Sequence, residues 1–216
     1  LLDLATLITA FTTLFVIVDP IGLAPLFVAM TAGMSAAQRR RVAARAIITS
    51  AGLMLLFLVL GDAVLRFIGI SVPAFRIAGG VLLFLTALDM LFERRQARRR
   101  DNAEEASGPD TEPDHDPSIF PLALPLIVGP GAITTLILLT AEADVTGYAA
   151  IYGVALAVLG TVWIAFKLAG PLARVLGPVG LNVVTRVLGM LLAALAVQFI
   201  IDGLHGSGFG MPFPGA

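Results

Sequence analysis

Cysteine is absent from the chain. That excludes disulfide staples and thiolate metal sites, and it leaves the compartment open. Histidine occurs twice, at His115 and His205, too few and too scattered for a metal cage. Charge is scarce as well, with Asp, Glu, Lys and Arg making up 13% of the 216 residues, whereas a soluble domain carries about a quarter. The sequence has no nucleophile elbow and no phosphate loop. Asp19, the one deep acid, lacks the second partner that most acid–base chemistry needs. An enzyme is therefore not expected, nor a metal, nor a nucleic-acid partner.

What is abundant is apolar. Hydrophobic residues make up 58% of the chain and mean hydropathy is +0.95, which is the composition of a multi-spanning membrane protein. Six apolar runs, 4–31, 43–67, 73–92, 119–141, 147–168 and 183–204, each have about the length that crosses ~30 Å of hydrocarbon. The first run is too long, and too poor in cleavage features, for a removed signal peptide. It is also overlong for a straight span, as expected of a broken or tilted helix. Between 96 and 118 the character changes to Arg98, Arg99 and Arg100 followed by acids and prolines, a solvated and disordered linker by composition. Its Asp114-His115-Asp116 reads as charged loop. The tail 206–216, rich in Gly and Pro, should be floppy.

The first run is interrupted by Val18-Asp19-Pro20-Ile21-Gly22-Leu23-Ala24-Pro25. An isolated acid at mid-membrane costs roughly 2.5–3.5 kcal/mol on insertion scales. Pro20 and Pro25 remove backbone donors, and Gly22 adds freedom. Broken backbone survives at that depth only when buried in protein or lining a polar cavity, so this stretch is a candidate binding site. Asp then Pro is a good N-cap followed by N1. Asp19 therefore reads as the cap of a half-helix, as a proton or cation coupling site, or as both.

A second breaker, Val128-Gly129-Pro130-Gly131-Ala132-Ile133-Thr134-Thr135, sits in the fourth run. Pro20 and Pro130, Arg76 and Arg186, and Gly79 and Gly189 are each separated by 110 residues. Three landmarks at one offset mark an internal repeat. Three spans per half is an odd number, which forces the second copy upside down, a plan that recurs in secondary transporters. The expected fold is an all-α membrane protein of six transmembrane helices in two inverted-topology three-helix repeats, the first helix of each broken or re-entrant. The parts are a first repeat at 1–95, the linker at 96–118, a second repeat at 119–205 and the tail at 206–216.

Half-helix N-termini at the two breaks would offer N–H groups to a carboxylate. The candidate substrate-binding residues are Asp19, Pro20, Gly22, Pro25, Gly129, Pro130, Gly131, Thr134, Thr135 and Gln198. The breaks could instead serve close packing alone, and the threonines could bond their own backbone. Arg76 and Arg186 read as gates or anion contacts, or as snorkelling interfacial cations. Gly79, Gly80 and Gly189 should let helices approach closely.

Basic residues are segregated. The connections after the first, third and fifth spans hold Arg39, Arg40, Arg41, Arg45, Arg94, Arg95, Arg98, Arg99, Arg100, Lys167 and Arg174, eleven of the fourteen in the chain. By the positive-inside rule both termini lie outside and the 93–118 linker is cytoplasmic.

Four blocks in order, Asp19-Pro20-Ile21-Gly22-x-x-Pro25, Phe75-Arg76-Ile77-Ala78-Gly79-Gly80, Pro125-Leu126-Ile127-Val128-Gly129-Pro130-Gly131-Ala132 and Gln198-Phe199-Ile200-Ile201-Asp202-Gly203, resemble the MarC family of bacterial inner-membrane proteins over about residues 4–205. The acidic linker departs from the compact family core and carries no site. The resemblance implies a multi-pass inner-membrane protein. Some members of the family are described as small neutral amino acid transporters, so it also points to solutes such as alanine, glycine or serine. The family name refers to multiple antibiotic resistance, which implies neither drug efflux nor a substrate. The expectation is a secondary transporter or exporter of a small polar solute by alternating access, with H⁺ or Na⁺ as coupling ion and no other cofactor. Its partners would be the solute, the lipid bilayer and, in a homo-oligomer, further copies of the chain. An ion channel and a membrane protein of other role stand as alternatives.

Overall fold

The computed structural model describes residues 3–92, 117–141 and 143–208. Most of the expected linker, including Asp114-His115-Asp116, and most of the expected tail lie outside the described residues. The described chain forms helices α1 (Leu4–Val18), α2 (Pro20–Met30), α3 (Ala36–Ile68) and α4 (Val72–Leu91). An irregular segment, Ser118–Ile127, then leads into α5 (Pro130–Thr140), α6 (Val145–Lys167) and α7 (Ala169–Gly206).

Local chemistry sets the ends. Asp3 Oδ1 accepts the Thr6 N–H at 2.9 Å to start α1. Ser35 and Gln38 close a capping box on α3, each side chain satisfying the other's backbone N–H. The apolar run itself begins at 43. The box places the helix start at Ala36, so Arg39, Arg40, Arg41 and Arg45 are helical. Gly69, at φ +83°, ends α3, and Gly177, at φ +58°, breaks α7, conformations that cost a glycine little.

Five helical stretches are long and apolar enough to cross a membrane: Leu4–Met30, Ala36–Ile68, Val72–Leu91, Val145–Lys167 and Val179–Gly206. A sixth crossing is available if Ser118–Ile127 and Pro130–Thr140, bent by 59° at their junction, act as one. The fourth apolar run is therefore not a straight span. The first is α1 and α2 in series, and it is the core of the protein: 72% of its most apolar stretch is buried, against 22–39% for the other four. Around it, α3, α4 and α7 turn Leu56, Val59, Val64, Leu82, Leu85, Val187 and Leu191 outward. This apolar shell suits hydrocarbon rather than water.

Packing runs chiefly between the two halves. Helix α2 lies on α6 and α7, while α5 lies on α3 and α4; α1 packs on α6, and the Ser118–Ile127 segment packs on α3. The most extensive pairing joins α4 to α7. It is antiparallel: Gly80 faces Ala196 and Ile200, Gly189 faces Ala87 and Met90, and Gly203 faces Pro73 and Ile77. A Cβ on Gly203 would stand 2.9 Å from the Pro73 carbonyl oxygen, and backbone cannot yield as a side-chain end can. Gly203→Leu should destabilise the protein by roughly 1–3 kcal/mol through overpacking, read as a lowered unfolding midpoint in mixed micelles.

Helix α6 starts on Asp144, whose carboxylate accepts the Gly147 N–H at 2.8 Å. That bond, with help from the Thr146 hydroxyl, holds the Asp144 carboxyl below its usual value. A depressed native pKa means the cap contributes fully above the unfolded value and is lost as pH falls through the native one. Exchange protection of the Gly147 amide, corrected for its intrinsic rate, should therefore fall at acid pH. Asp144→Asn should keep the cap and remove that pH dependence.

Candidate functional site

The first break is one residue wide. Helix α1 closes with the Asp19 N–H donating to Phe15 O at 2.9 Å. Asp19 then turns left-handed, at φ 57° and ψ 65°, a region that Asp and Asn enter more readily than other side chains. Pro20 follows at the first position of α2, where its missing N–H breaks no helical bond. Asp19 Oδ1 accepts the Gly22 N–H at 3.0 Å, and the Leu23 N–H donates to Asp19 O at 3.0 Å. Asp19 is only 2% exposed. A Cβ on Gly22 would collide with the Asp19 carboxylate, so the cap requires glycine there. Pro25 lies inside α2, which continues through it.

The second break is built differently. Phe120 (φ −121°, ψ 126°) and Leu124 (φ −132°, ψ 124°) are extended, as residues before proline tend to be. The Phe120–Pro121 and Leu124–Pro125 bonds are cis. Wide turns close with Leu122 N–H donating to Pro117 O at 3.2 Å and Val128 N–H to Ala123 O at 2.9 Å. Gly129 is extended and gives α5 no side-chain cap, and Pro130 again takes the first helical position. Helices α2 and α5 are both 11 residues long, and their bounds differ by the same 110 residues as the sequence landmarks.

The two breaks meet. A Cβ on Gly131 would stand 3.2 Å from Ile17 Cγ2 and 3.2 Å from Leu83 Cδ2. The first turn of α5 thus rests on the last turn of α1 and on α4. Further along, the Thr134 methyl fills the space that a side chain at Gly79 would need. Asp19, Pro20, Gly22, Gly131, Thr134 and Thr135 are buried, Pro25 and Gly129 half-buried, and Pro130 exposed. Thr135 Oγ1 is buried and has no hydrogen-bond partner, which costs a hydroxyl about 1–3 kcal/mol.

Other candidates lie elsewhere. Gln198 is exposed on α7, and its Nε2 donates to Asp202 Oδ1 at 2.7 Å. Arg186 is exposed on α7 at the level of the α4 end around Leu91, and half-buried Arg76 lies near the other end of the same pair. Arg76 is about one turn of α4 beyond Gly79, on the side away from Leu83 and the break. Among the described residues no three His, Asp or Glu side chains form a metal-holding group.

Of two cavities, one reaches the second break at Pro130 and the other lies apart from both breaks. One, of about 400 Å³, is apolar and reaches from Leu56, Phe57 and Leu60 of α3 to Phe75, Pro130 and Thr134; Asp19 does not line it. The other, of about 380 Å³, gathers Arg39, Arg40, Lys167 and Arg174 at one end of the bundle. Single-residue reading missed Ile17 and Leu83, which seat α5, because apolar residues in a membrane helix carry no sign of which face they occupy.

This architecture is that of an integral, multi-pass membrane protein. The profile described as MarC family integral membrane protein matches residues 4–207, and the chain belongs to that family. It is 39% identical to a UPF0056 membrane protein of Archaeoglobus fulgidus, over 90% of each chain. It is 37% identical to UPF0056 membrane protein YhcE of Escherichia coli, over 91% of this chain and 90% of that one. It is 33% identical to UPF0056 membrane protein YvbG of Bacillus subtilis, over 93% and 94%. These descriptions name a membrane protein and no enzymatic activity. No solved structure matches the chain.

The cap assigns an order to substitutions at Asp19. Asn both caps and tolerates the left-handed turn, so Asp19→Asn should leave stability nearly unchanged. Gly keeps the turn and loses the side-chain acceptor. Ala loses both, and Asp19→Ala should cost about 1–3 kcal/mol. Thermal unfolding of the detergent-solubilised variants should rank Asn above Gly above Ala.

Proposed function

We propose that the protein is a secondary transporter or exporter of a small polar solute, working by alternating access between two inverted halves. The observation that carries this reading is the meeting of two helix breaks, at Asp19 and Gly129, through Ile17 and Gly131. Broken backbone at membrane depth is where such carriers hold substrate and coupling ion. The equal lengths of α2 and α5 support a duplication. So does the exchange of partners, with α2 on the third and fourth helices of the second half and α5 on those of the first. Three crossings per half would invert one copy relative to the other.

In this reading the bent pair counts as one crossing, and the protein lies in a bacterial inner membrane with both termini outside and the 93–118 linker cytoplasmic. Arg39, Arg40, Lys167 and Arg174 come from the connections after the first and fifth spans and line one cavity, which supports their lying on one side. Substrate binds between 19–25 and 129–135. The Asp19 carboxylate takes H⁺ or Na⁺ when a gradient drives the cycle, and the Thr135 hydroxyl supplies a polar contact. Arg76 and Arg186 stand toward opposite ends of the α4–α7 pair as gates. Family resemblance makes small neutral amino acids the solute class to test first.

Purified full-length chain in proteoliposomes should take up radiolabelled alanine, glycine or serine saturably under a proton or sodium gradient. Asp19→Asn, folded by the criterion above, should lose accumulation while retaining exchange of solute across the membrane. Folded wild-type protein that moves none of the three under either gradient would count against the amino acid reading. Unitary currents in a planar bilayer would replace the carrier with a channel.

A further inference from the structure

The cationic cavity has no part in the site between the breaks. It is bounded by the end of α2, the first turns of α3, the end of α6 and the start of α7. Four cations line it, Arg39, Arg40, Lys167 and Arg174, and among the described residues no Asp or Glu does. Arg39 and Arg40 stand in the first two turns of α3, near the positive end of the helix dipole, where a cation is disfavoured. Arg39 is partly satisfied by Thr31 O, to which Nη2 donates at 3.3 Å. Its Nε is buried and makes no hydrogen bond. Lys167 Nζ lies 5.0 Å over the Trp163 ring, and behind it Phe27 and Phe166 stack at 4.2 Å between centroids. Cations collected from two separate connections, without a carboxylate among them, repel one another unless an anion sits between them.

We propose that this cavity is a binding site for a phosphate anion. The phosphate can belong to an anionic lipid headgroup or to a soluble compound. The lipid source fits the surroundings better, because the cations sit at helix ends beside Trp163 and an apolar aromatic wall, where a phosphodiester would meet charge and its glycerol and acyl carbons would meet rings. Arginine forks and a lysine ammonium are the side chains that bind such oxygens.

Native mass spectrometry of the full chain, released from detergent with added phosphatidylglycerol or phosphatidylcholine, tests the site. Phosphatidylglycerol should be retained at least about fivefold better than phosphatidylcholine, and Arg39→Gln, Lys167→Gln and Arg174→Gln should each weaken that retention about fivefold, the effect of one cation near a membrane surface. Arg41 is exposed on α3 and does not line the cavity, so Arg41→Gln should change retention less than about twofold. Arg174 is exposed, so Arg174→Gln remains informative if a buried variant misfolds. Inorganic phosphate distinguishes the sources. If it raises the melting temperature of wild type but not of Lys167→Gln, and displaces phosphatidylglycerol, bare phosphate suffices and a soluble ligand is supported. If phosphatidylglycerol binds and phosphate does not compete, the ligand is lipid. Equal retention of the two lipids with no effect of phosphate overturns the proposal. So does an Arg41→Gln loss as large as that of Arg39→Gln, which would mean diffuse surface charge.

Discussion

The Asp19 carboxylate, accepting the Gly22 N–H at the restart of the helix, lets the central span be interrupted. In hydrocarbon, each unsatisfied backbone group costs several kcal/mol, and a helix that stops and restarts leaves donors exposed at the restart. Pro20 removes one of those donors by its chemistry, and Asp19 Oδ1 accepts another, the Gly22 N–H. The geometry is tight enough that a side chain at position 22 would displace the Asp19 carboxylate from the cap. Other contacts hang from this turn. Ile17, two residues before it, is the surface on which Gly131 rests, and with Leu83 it fixes where α5 begins. Thr134 then drops against Gly79 of α4, and α4 in turn forms the long pair with α7.

The second half solves the same problem without a charge. Its first element is not a helix followed by a break but a run of wide turns, held by Leu122 and Val128 donating back to Pro117 and Ala123. Pro121 and Pro125 force Phe120 and Leu124 into extended backbone, so a regular first half-helix cannot form. Burial in protein substitutes for the cap: Leu122, Ala123, Leu126, Ile127 and Val128 are all buried, and the segment packs on α3. The side chains of Ile119, Phe120 and Leu124 are exposed, so only part of this irregular segment is covered by protein.

These two solutions explain what could be read in the chain beforehand. Asp19-Pro20 and Gly129-Pro130 were legible because cap and first-turn proline are neighbours in sequence, and the restarts fall where those pairs predict. The offset of 110 was legible for the same reason, since it needs only residue identities. The shape of the fourth crossing was not. Two prolines four residues apart announce irregularity, yet the 59° bend depends on which carbonyls the freed N–H groups find. Helix α3 starts at Ala36, ahead of the apolar run at 43–67, because hydropathy penalises the arginines of its first turns whereas Ser35 and Gln38 are spaced for a capping box. Gln198 was assigned by depth, and depth along a helix does not say which face a residue occupies. Gln198 is exposed and bonds Asp202, one turn further along the same face.

The unlike construction of the two breaks bears on how alternating access would be divided between the halves. At Asp19, opening the turn would strip the buried Gly22 N–H of its acceptor, a loss that is costly in a low dielectric. At Gly129 no side chain bridges the break, and the helix beyond it is seated by small and apolar contacts, Gly131 on Ile17 and Leu83. Sliding such contacts exchanges one van der Waals neighbour for another, whereas breaking the cap gives up the hydrogen bond to the Gly22 N–H. Equal and opposite motion of two identical repeats is therefore not what this sequence favours. In the proposed cycle the capped turn would be the fixed wall, and α5, which starts at a glycine without a side-chain cap, would be the wall with less to lose by moving.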